Sequence, residues 1–335
     1  MTHVLTTPAA GADAPGVTAP SLAHLPVTLF ASVMGVGGLS LAWRRAARTW
    51  AVPQWPAQVL LALAAATFLV VGAAYALKWV RFPAAARAEL RHPVRMTFAP
   101  TLTVSLLVLA TAGRDVAPGV ASVLWWLGAV GHLAATFAVL GAWSARTDIG
   151  PAAVTPAWFV PVVGNVVAPL AAAEVGSVEV AWFAFGVGVV FWLALLPLVL
   201  HRLLLHDSPL PERLLPTVAI LAAPPAVSLL AWQALTGTAD GPVVRILGAA
   251  TLAFVLLLAA HLPRLRRLPF GLPWWAYTFP LAAAAAAAVS VAGTRPQVGY
   301  DVVAAGLLVV ATVVVVGVAG LTVRTATRRE ICRPE

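Results

Sequence analysis

The sequence predicts an all-α membrane protein of ten transmembrane helices, and three observations predict it. Of its 335 residues 61% are hydrophobic and 10% are charged, with a mean hydropathy of +0.92. A soluble domain carries about 25% charged residues. The apolar residues gather into ten stretches close to the roughly 20 residues needed to cross the hydrocarbon core. Every Asp, Glu and Lys falls outside those stretches, and the one arginine inside them, Arg245, stands near an end from which its head can reach the interface. These features exclude a soluble globular enzyme, a disordered protein and a disulfide scaffold. The single cysteine, Cys332, allows neither an intrachain disulfide nor a cysteine metal cluster.

In chain order, residues 1–21 are rich in Ala, Pro, Thr and Gly and hold no Lys or Arg, so they read as a disordered tail rather than a cleaved signal with a basic leader. The transmembrane domain spans 22–323, with helices expected at Leu22–Trp43, Trp55–Leu77, Thr97–Ala112, Val120–Ala142, Pro156–Ala173, Val180–Leu200, Leu214–Leu235, Val243–His261, Pro273–Val291 and Val302–Val323. Residues 324–335 form a basic tail. Ten spans put both termini on one side. That side then carries 15 of the 21 basic residues, so the positive-inside rule makes it cytoplasmic, in a cell inner (plasma) membrane. The arginines lie in short groups between apolar runs, which explains the formal charge of +9 by topology rather than by nucleic-acid binding.

Prolines divide the spans. Odd-numbered spans carry internal prolines: Pro26, Pro100, Pro161 with Pro169, Pro224 with Pro225, and Pro280. Among even spans only the sixth does, with Pro197 near its end. A mid-helix proline frees a carbonyl that lipid cannot satisfy, so bent helices belong where protein or water covers them. The leading prolines are 74, 61, 63 and 56 residues apart. This spacing suggests five helical hairpins with bent odd helices inside, in a quasi-fivefold arrangement around a central pore. The polar residues such a pore would expose are Thr28, Ser32, Thr101, Asn165, Ser228 and Thr278, together with Thr103 and Ser105. The odd spans offer no Arg, Lys, Asp or Glu beside them. A pump or proton-driven carrier keeps an ionisable relay in the membrane. Weak dipoles with basic mouths instead suit passive movement of small anions selected by ease of dehydration. Each hydroxyl can equally bond its own helix.

The ninth span carries Trp274-Trp275-Ala276-Tyr277-Thr278-Phe279-Pro280-Leu281, followed by seven alanines, Ala282 to Ala288. Pro280 disfavours helical geometry at Phe279, and alanines permit close helix packing. The Phe279 ring therefore reads either as a plug across the axis or as an aromatic packed in the bundle.

At these residues the chain resembles the tellurite-resistance/dicarboxylate transporter family, which includes bacterial TehA proteins and plant slow anion channels. The resemblance runs through His24-Leu25-Pro26-Val27 and Gly35-Val36-Gly37-Gly38, with Trp43-Arg44 after them. It continues through Glu89-Leu90-Arg91-His92-Pro93-Val94-Arg95, Phe98-Ala99-Pro100, Pro156-Ala157-Trp158-Phe159-Val160-Pro161-Val162-Val163-Gly164, Leu215-Pro216-Thr217, Ala223-Pro224-Pro225-Ala226 and the Trp274 to Pro280 stretch. It implies ten helices in five hairpins, a homotrimer with one pore per subunit, and Phe279 as the pore gate. It also implies transport of chloride or nitrate through a channel, or export of sulfite, malate or other dicarboxylates, or tellurite-related oxyanions, by a carrier.

Other residues carry two readings each. Arg91 and Arg95 either draw anions to the cytoplasmic mouth or mark topology and headgroup contact. His132, midway along the fourth span, reads as a hydrogen-bonding residue at a packing or subunit interface ahead of a proton relay. No HExxH, paired cysteines or helically spaced histidines point to a metal, and Lys78 does not follow a glycine as a phosphate-binding loop requires. No cofactor is expected. A membrane enzyme needs a polar catalytic cluster at one face, and none is visible.

Overall fold

The computed structural model describes residues 21–147, 149–150, 153–205, 209–328 and 331–332. Residues 1–20 of the expected tail and most of 329–335 lie outside them. Every regular element among the described residues is helical. Among the described residues ten helices are long and apolar enough to cross a membrane: Val27–Trp50, Trp55–Arg81, Arg95–Gly113, Pro118–Ala145, Pro156–Val175, Val178–Leu205, Glu212–Thr236, Pro242–Ala260, Leu272–Thr294 and Val298–Thr327. We refer to them as the first to tenth spans.

Odd and even spans differ in kind. Even spans are unbroken α-helices, and within their most apolar 18 residues only 11–33% are buried, against 72–83% in the odd spans. Exposed Leu69, Val70, Val80, Val309, Val313 and Val316 on the second and tenth spans present to lipid the apolar surface it tolerates. The odd spans form the interior. First packs on third, third on fifth, fifth on seventh, seventh on ninth, and ninth returns to first, while each odd span also packs on the even span that follows it.

The prolines do not bend continuous α-helices, as the sequence reading expected. Each odd span opens with tight 3₁₀ turns, at Val27–Leu29, Arg95–Phe98, Pro156–Trp158, Glu212–Ala222 and Leu272–Tyr277, and then turns α-helical. Pro100 caps the α-helical Thr101–Gly113, while Pro161, Pro224 with Pro225, and Pro280 fall within the first three residues of theirs. There a missing N–H goes unnoticed, because the first turn of a helix has no acceptor for it. Proline thus sits where the helix restarts, its fixed φ suited to a first turn, while Ala99 and Ala223 just before Pro100 and Pro224 keep right-handed helical angles.

Restarting a helix inside a membrane strands carbonyls, and polar side chains answer them. In every odd span one donates to the carbonyl three residues back: Ser32 to Leu29 (2.6 Å), Thr101 to Phe98 (2.6 Å), Asn165 to Val162 (2.9 Å), Thr217 to Leu214 (2.6 Å) and Thr278 to Trp275 (2.7 Å). Lipid gives apolar side chains no reason to leave it, so close contact between small residues holds such helices together. A methyl at Gly35 would lie 2.1 Å from Thr278 Oγ1, so this glycine is what lets the ninth span reach the first.

The second span departs from expectation at its end. It runs to Arg81 rather than Leu77, which buries Lys78. The short helix Pro83–Arg91 that follows turns Glu89 back toward it. Lys78 Nζ lies 2.6 Å from Glu89 Oε2 and donates to the Leu25 carbonyl (2.7 Å). Glu89 Oε1 accepts from the Val27 N–H (2.8 Å), and Oε2 also accepts from the Tyr75 hydroxyl (3.2 Å). The charged residues are therefore not all outside the packed domain. This network ties the start of the first span to the end of the second.

Candidate functional site

Side chains from the 3₁₀ turns and from the α-helical turns that follow them enclose a cavity of about 340 Å³. All five odd spans line it: Pro26, Thr28, Ala31 and Met34; Arg95, Phe98, Thr101 and Val104; Phe159, Val160, Val163 and Val167; Thr217, Ile220, Pro224 and Val227; Trp275, Ala276, Phe279 and Pro280. Glu89 and His92 join the wall from the connection after the second span, and Arg213 from the first turn of the seventh. The wall is mostly apolar. Thr101 and Thr217 spend their hydroxyl protons on backbone carbonyls, as described above, and Thr28 keeps its own free of the protein.

Charge gathers at this end of the wall. Lys78 neutralises Glu89. Among the described residues no carboxylate lies within salt-bridge distance of Arg95 or Arg213, so both guanidiniums lend net positive potential to the opening. His92 is held by its neighbours, its Nδ1 accepting from the N–H groups of Val94 (3.2 Å) and Arg95 (3.3 Å).

Farther along the same helices lies a second cavity of about 90 Å³, lined by Leu41, Arg44, Arg45, Arg48, Thr111, Arg114, Leu170 and Leu230. The two cavities share helix faces. On the first span Ala31, Met34, Leu41 and Arg45 follow at helical spacing. On the seventh, Ile220, Pro224, Val227 and Leu230 do the same. Gly38 falls between Met34 and Leu41 on that stripe, and a methyl there would stand 3.0 Å from Phe279 Cδ2 and 3.4 Å from Ala282 Cβ. The Phe279 ring thus lies against the first span at the level between the two cavities.

Of the residues singled out in the sequence, Pro26, Thr28, Arg95, Thr101, Pro224, Phe279 and Pro280 meet on one wall. The others lie elsewhere, each for a local reason. Ser32 faces a groove between the first, second and tenth spans. Pro100 and Pro161 turn their carbonyls to Thr103 (2.8 Å) and Thr136 (2.6 Å) and stand behind the wall. Asn165 is buried against Thr136, to which it donates (2.8 Å). Thr278 fills the space left by Gly35, and Ser228 is buried on neither cavity. Arg91 points outward and offers only its carbonyl, to Arg146 (3.0 Å).

His132 is fully buried, with Nδ1 2.8 Å from Thr103 Oγ1. The Thr103 proton goes to the Pro100 carbonyl, so Nδ1–H must be the donor, leaving Nε2 packed on Gly164 without a partner. It holds the fourth span against the third and touches neither cavity. Glu89 and Arg213 escaped the sequence reading as wall residues. The only lysine beside a span end was the available signal for Glu89, since a buried lysine demands an acid.

Residues 24–323 match the family described as voltage-dependent anion channel. The chain belongs to this family. Its members similar to this chain include the S-type anion channels SLAH2 and SLAH3 of Arabidopsis thaliana. SLAH2 is 29% identical over 92% of this chain and 60% of its own length, and SLAH3 is 30% identical over 88% and 47%. A tellurite resistance protein TehA homolog of Haemophilus influenzae is 24% identical over 79% of this chain and 81% of its own. The chain therefore spans about half to three-fifths of the plant relatives it matches and four-fifths of the bacterial one. The match to the family covers all ten spans but stops short of the last residues of the tenth.

Proposed function

We propose that this chain is a passive channel or uniporter for small anions such as chloride or nitrate, gated by Phe279. In this reading the odd spans form a quasi-fivefold ring, and the two cavities are the inner and outer halves of one pathway. The observation that carries it is the position of Phe279, on the cavity wall at the level between the two cavities, with its ring against Gly38. A benzyl group at a narrow apolar level excludes water, and an ion cannot cross a dry level without losing its shell. The apolar wall above it offers little to replace that shell, so anions that dehydrate easily pass best. Arg95 and Arg213 concentrate anions at the mouth, which lies on the cytoplasmic side if both termini do. The relatives' names as anion channels support the same substrate class. We further propose that the protein sits in the inner (plasma) membrane as a homotrimer with one pathway per subunit.

Phe279→Ala tests the gate. Planar bilayers containing the purified variant should carry several-fold more anion current than wild type, at unchanged protein per membrane and unchanged elution volume. Equal or smaller current from a well-folded variant refutes the gate. The rival carrier reading, for dicarboxylates, sulfite or tellurite-related oxyanions, predicts a reversal potential that follows an imposed pH gradient with fixed stoichiometry. The channel reading predicts a reversal potential that follows the anion gradient alone. Glu89 favours the channel, because the only carboxylate on the cavity wall among the described residues is locked by Lys78, Tyr75 and the Val27 N–H.

A further inference from the structure

Four guanidiniums, those of Arg44, Arg45, Arg48 and Arg114, converge on the smaller cavity. An arginine cannot shed its charge, so each needs a partner where water is scarce. Three have one. Arg44 and Arg48 both donate to Asp115 Oδ2, at 2.8 and 2.9 Å, and Arg114 donates to the Leu170 carbonyl and stands 3.5 Å from Glu174. Arg45 has none of comparable strength. Its hydrogen bond is a 3.4 Å contact with Ser290 Oγ, a hydroxyl whose proton already goes to Gln233 Oε1 at 2.7 Å. A second group is under-satisfied: Arg114 Nε is buried and makes no hydrogen bond, its nearest charge contact being Asp115 Oδ1 at 3.8 Å.

The charge does not balance either. Among the described residues Asp115 and Glu174 are the carboxylates within salt-bridge distance of this cluster, and both are half exposed, so four guanidiniums face two carboxylates around a space of about 90 Å³. One water needs only about 10–15 Å³ of such space. The geometry points to a small-anion binding site in this cavity, held by Arg45 with Arg114 Nε. The ligand class is a small inorganic anion, and the planar fork of Arg45 suits a planar oxyanion such as nitrate. Its place beyond Phe279 would make it the station an anion occupies on the far side of the gate. That role rests on the channel reading above; the binding itself does not.

The test compares unfolding temperatures in detergent, read by tryptophan fluorescence at constant ionic strength, with sodium nitrate replacing sodium gluconate. Gluconate is too large for the cavity. A ligand that binds only the folded state raises Tm, and wild type should gain about 2–3 °C at saturating nitrate. Arg45→Gln should lose this gain while keeping its elution volume and its Tm in gluconate. Arg245→Gln, on an exposed arginine outside the cavity and paired with Asp240, should keep it. A full nitrate shift in Arg45→Gln, or no shift in wild type, overturns the site. Should Arg45→Gln not fold, wild-type crystals grown in bromide decide the matter: an anomalous peak within hydrogen-bonding reach of Arg45 supports the site and its absence refutes it. Anion flux in liposomes separates the two proposals. Flux without the nitrate shift removes the site and leaves the channel, and the shift without flux does the reverse.

Discussion

Replacing Glu89 with Gln tests the buried network at the base of the first span. Both charged side chains are nearly sealed, with 3% of Lys78 and 5% of Glu89 exposed, so the small energies of surface ion pairs do not apply. The carboxylate accepts three hydrogen bonds, from Val27 N–H, Tyr75 O–H and Lys78 Nζ. Glutamine is isosteric and its oxygen can still accept from Val27. Its amide then faces Lys78 with protons toward protons, and the ammonium keeps only the Leu25 carbonyl. Stripping a buried charge of its partner costs about 3–5 kcal/mol, two or more orders of magnitude in the folding equilibrium. The double variant Lys78→Met with Glu89→Gln removes the stranded charge and should recover most of that loss, because an apolar replacement of a buried pair is often neutral. Thermal and denaturant unfolding of the four proteins in one detergent gives the cycle. A loss below about 1 kcal/mol for Glu89→Gln, or a double variant as unstable as the worse single one, would refute the claim that this pair is buried and mutually satisfied.

Two further outcomes follow from the packing and from the loop between the seventh and eighth spans. Gly35→Ala should lower Tm and folded yield, since its methyl would overlap Thr278 and overpacking costs about 1–3 kcal/mol. Gly72→Ala, where a methyl meets nothing within 4 Å, should leave Tm unchanged or raise it. In the loop between the seventh and eighth spans, Asp240 is held well below the ordinary Asp value of 3.8, chiefly by the Arg295 guanidinium and also by the Gly241 N–H. Its depressed folded-state pKa makes its contribution complete above the unfolded value and lost as pH falls below about 4. Asp240→Asn should therefore be less stable than wild type at pH 7, and the two should converge in acid; parallel Tm curves down to the lowest accessible pH would refute the assignment.

Much of the architecture is legible in the chain because a bilayer imposes a length and a polarity that any sequence must display. The second span is readable from Trp55 onward for that reason. The odd-even division is readable because Pro100, Pro161, Pro224 and Pro280 announce backbone that lipid cannot serve. Phe279 stands out because it precedes such a proline. The faces of the odd helices were not readable. A 3₁₀ segment turns about 120° per residue and an α-helix about 100°, so across the six residues Leu272–Tyr277 the two phases diverge by about 120°. A side chain assigned to the wall from α-helical spacing can then land behind it. Ser32, Asn165 and Thr278 are expected from their spacing to face a pore, and instead Ser32 faces the groove toward the second and tenth spans, Asn165 lies against Thr136 and Thr278 against Gly35.

Local chemistry along the chain, then, was enough to place ten spans, with ends off by up to seven residues, and to mark which of them carry interrupted backbone. Contacts between residues distant in sequence were left to the folded state. Glu89 reaches Val27 across 62 positions, and the Phe279 ring meets Gly38 only once the ninth span closes onto the first. Arg45 and Arg114 share a cavity because the first and third spans lie side by side. Hydrophobic length and proline act on neighbouring residues and leave a one-dimensional trace. Charge pairing, close packing and cavities depend on which helix face meets which, and no stretch of sequence records that by itself.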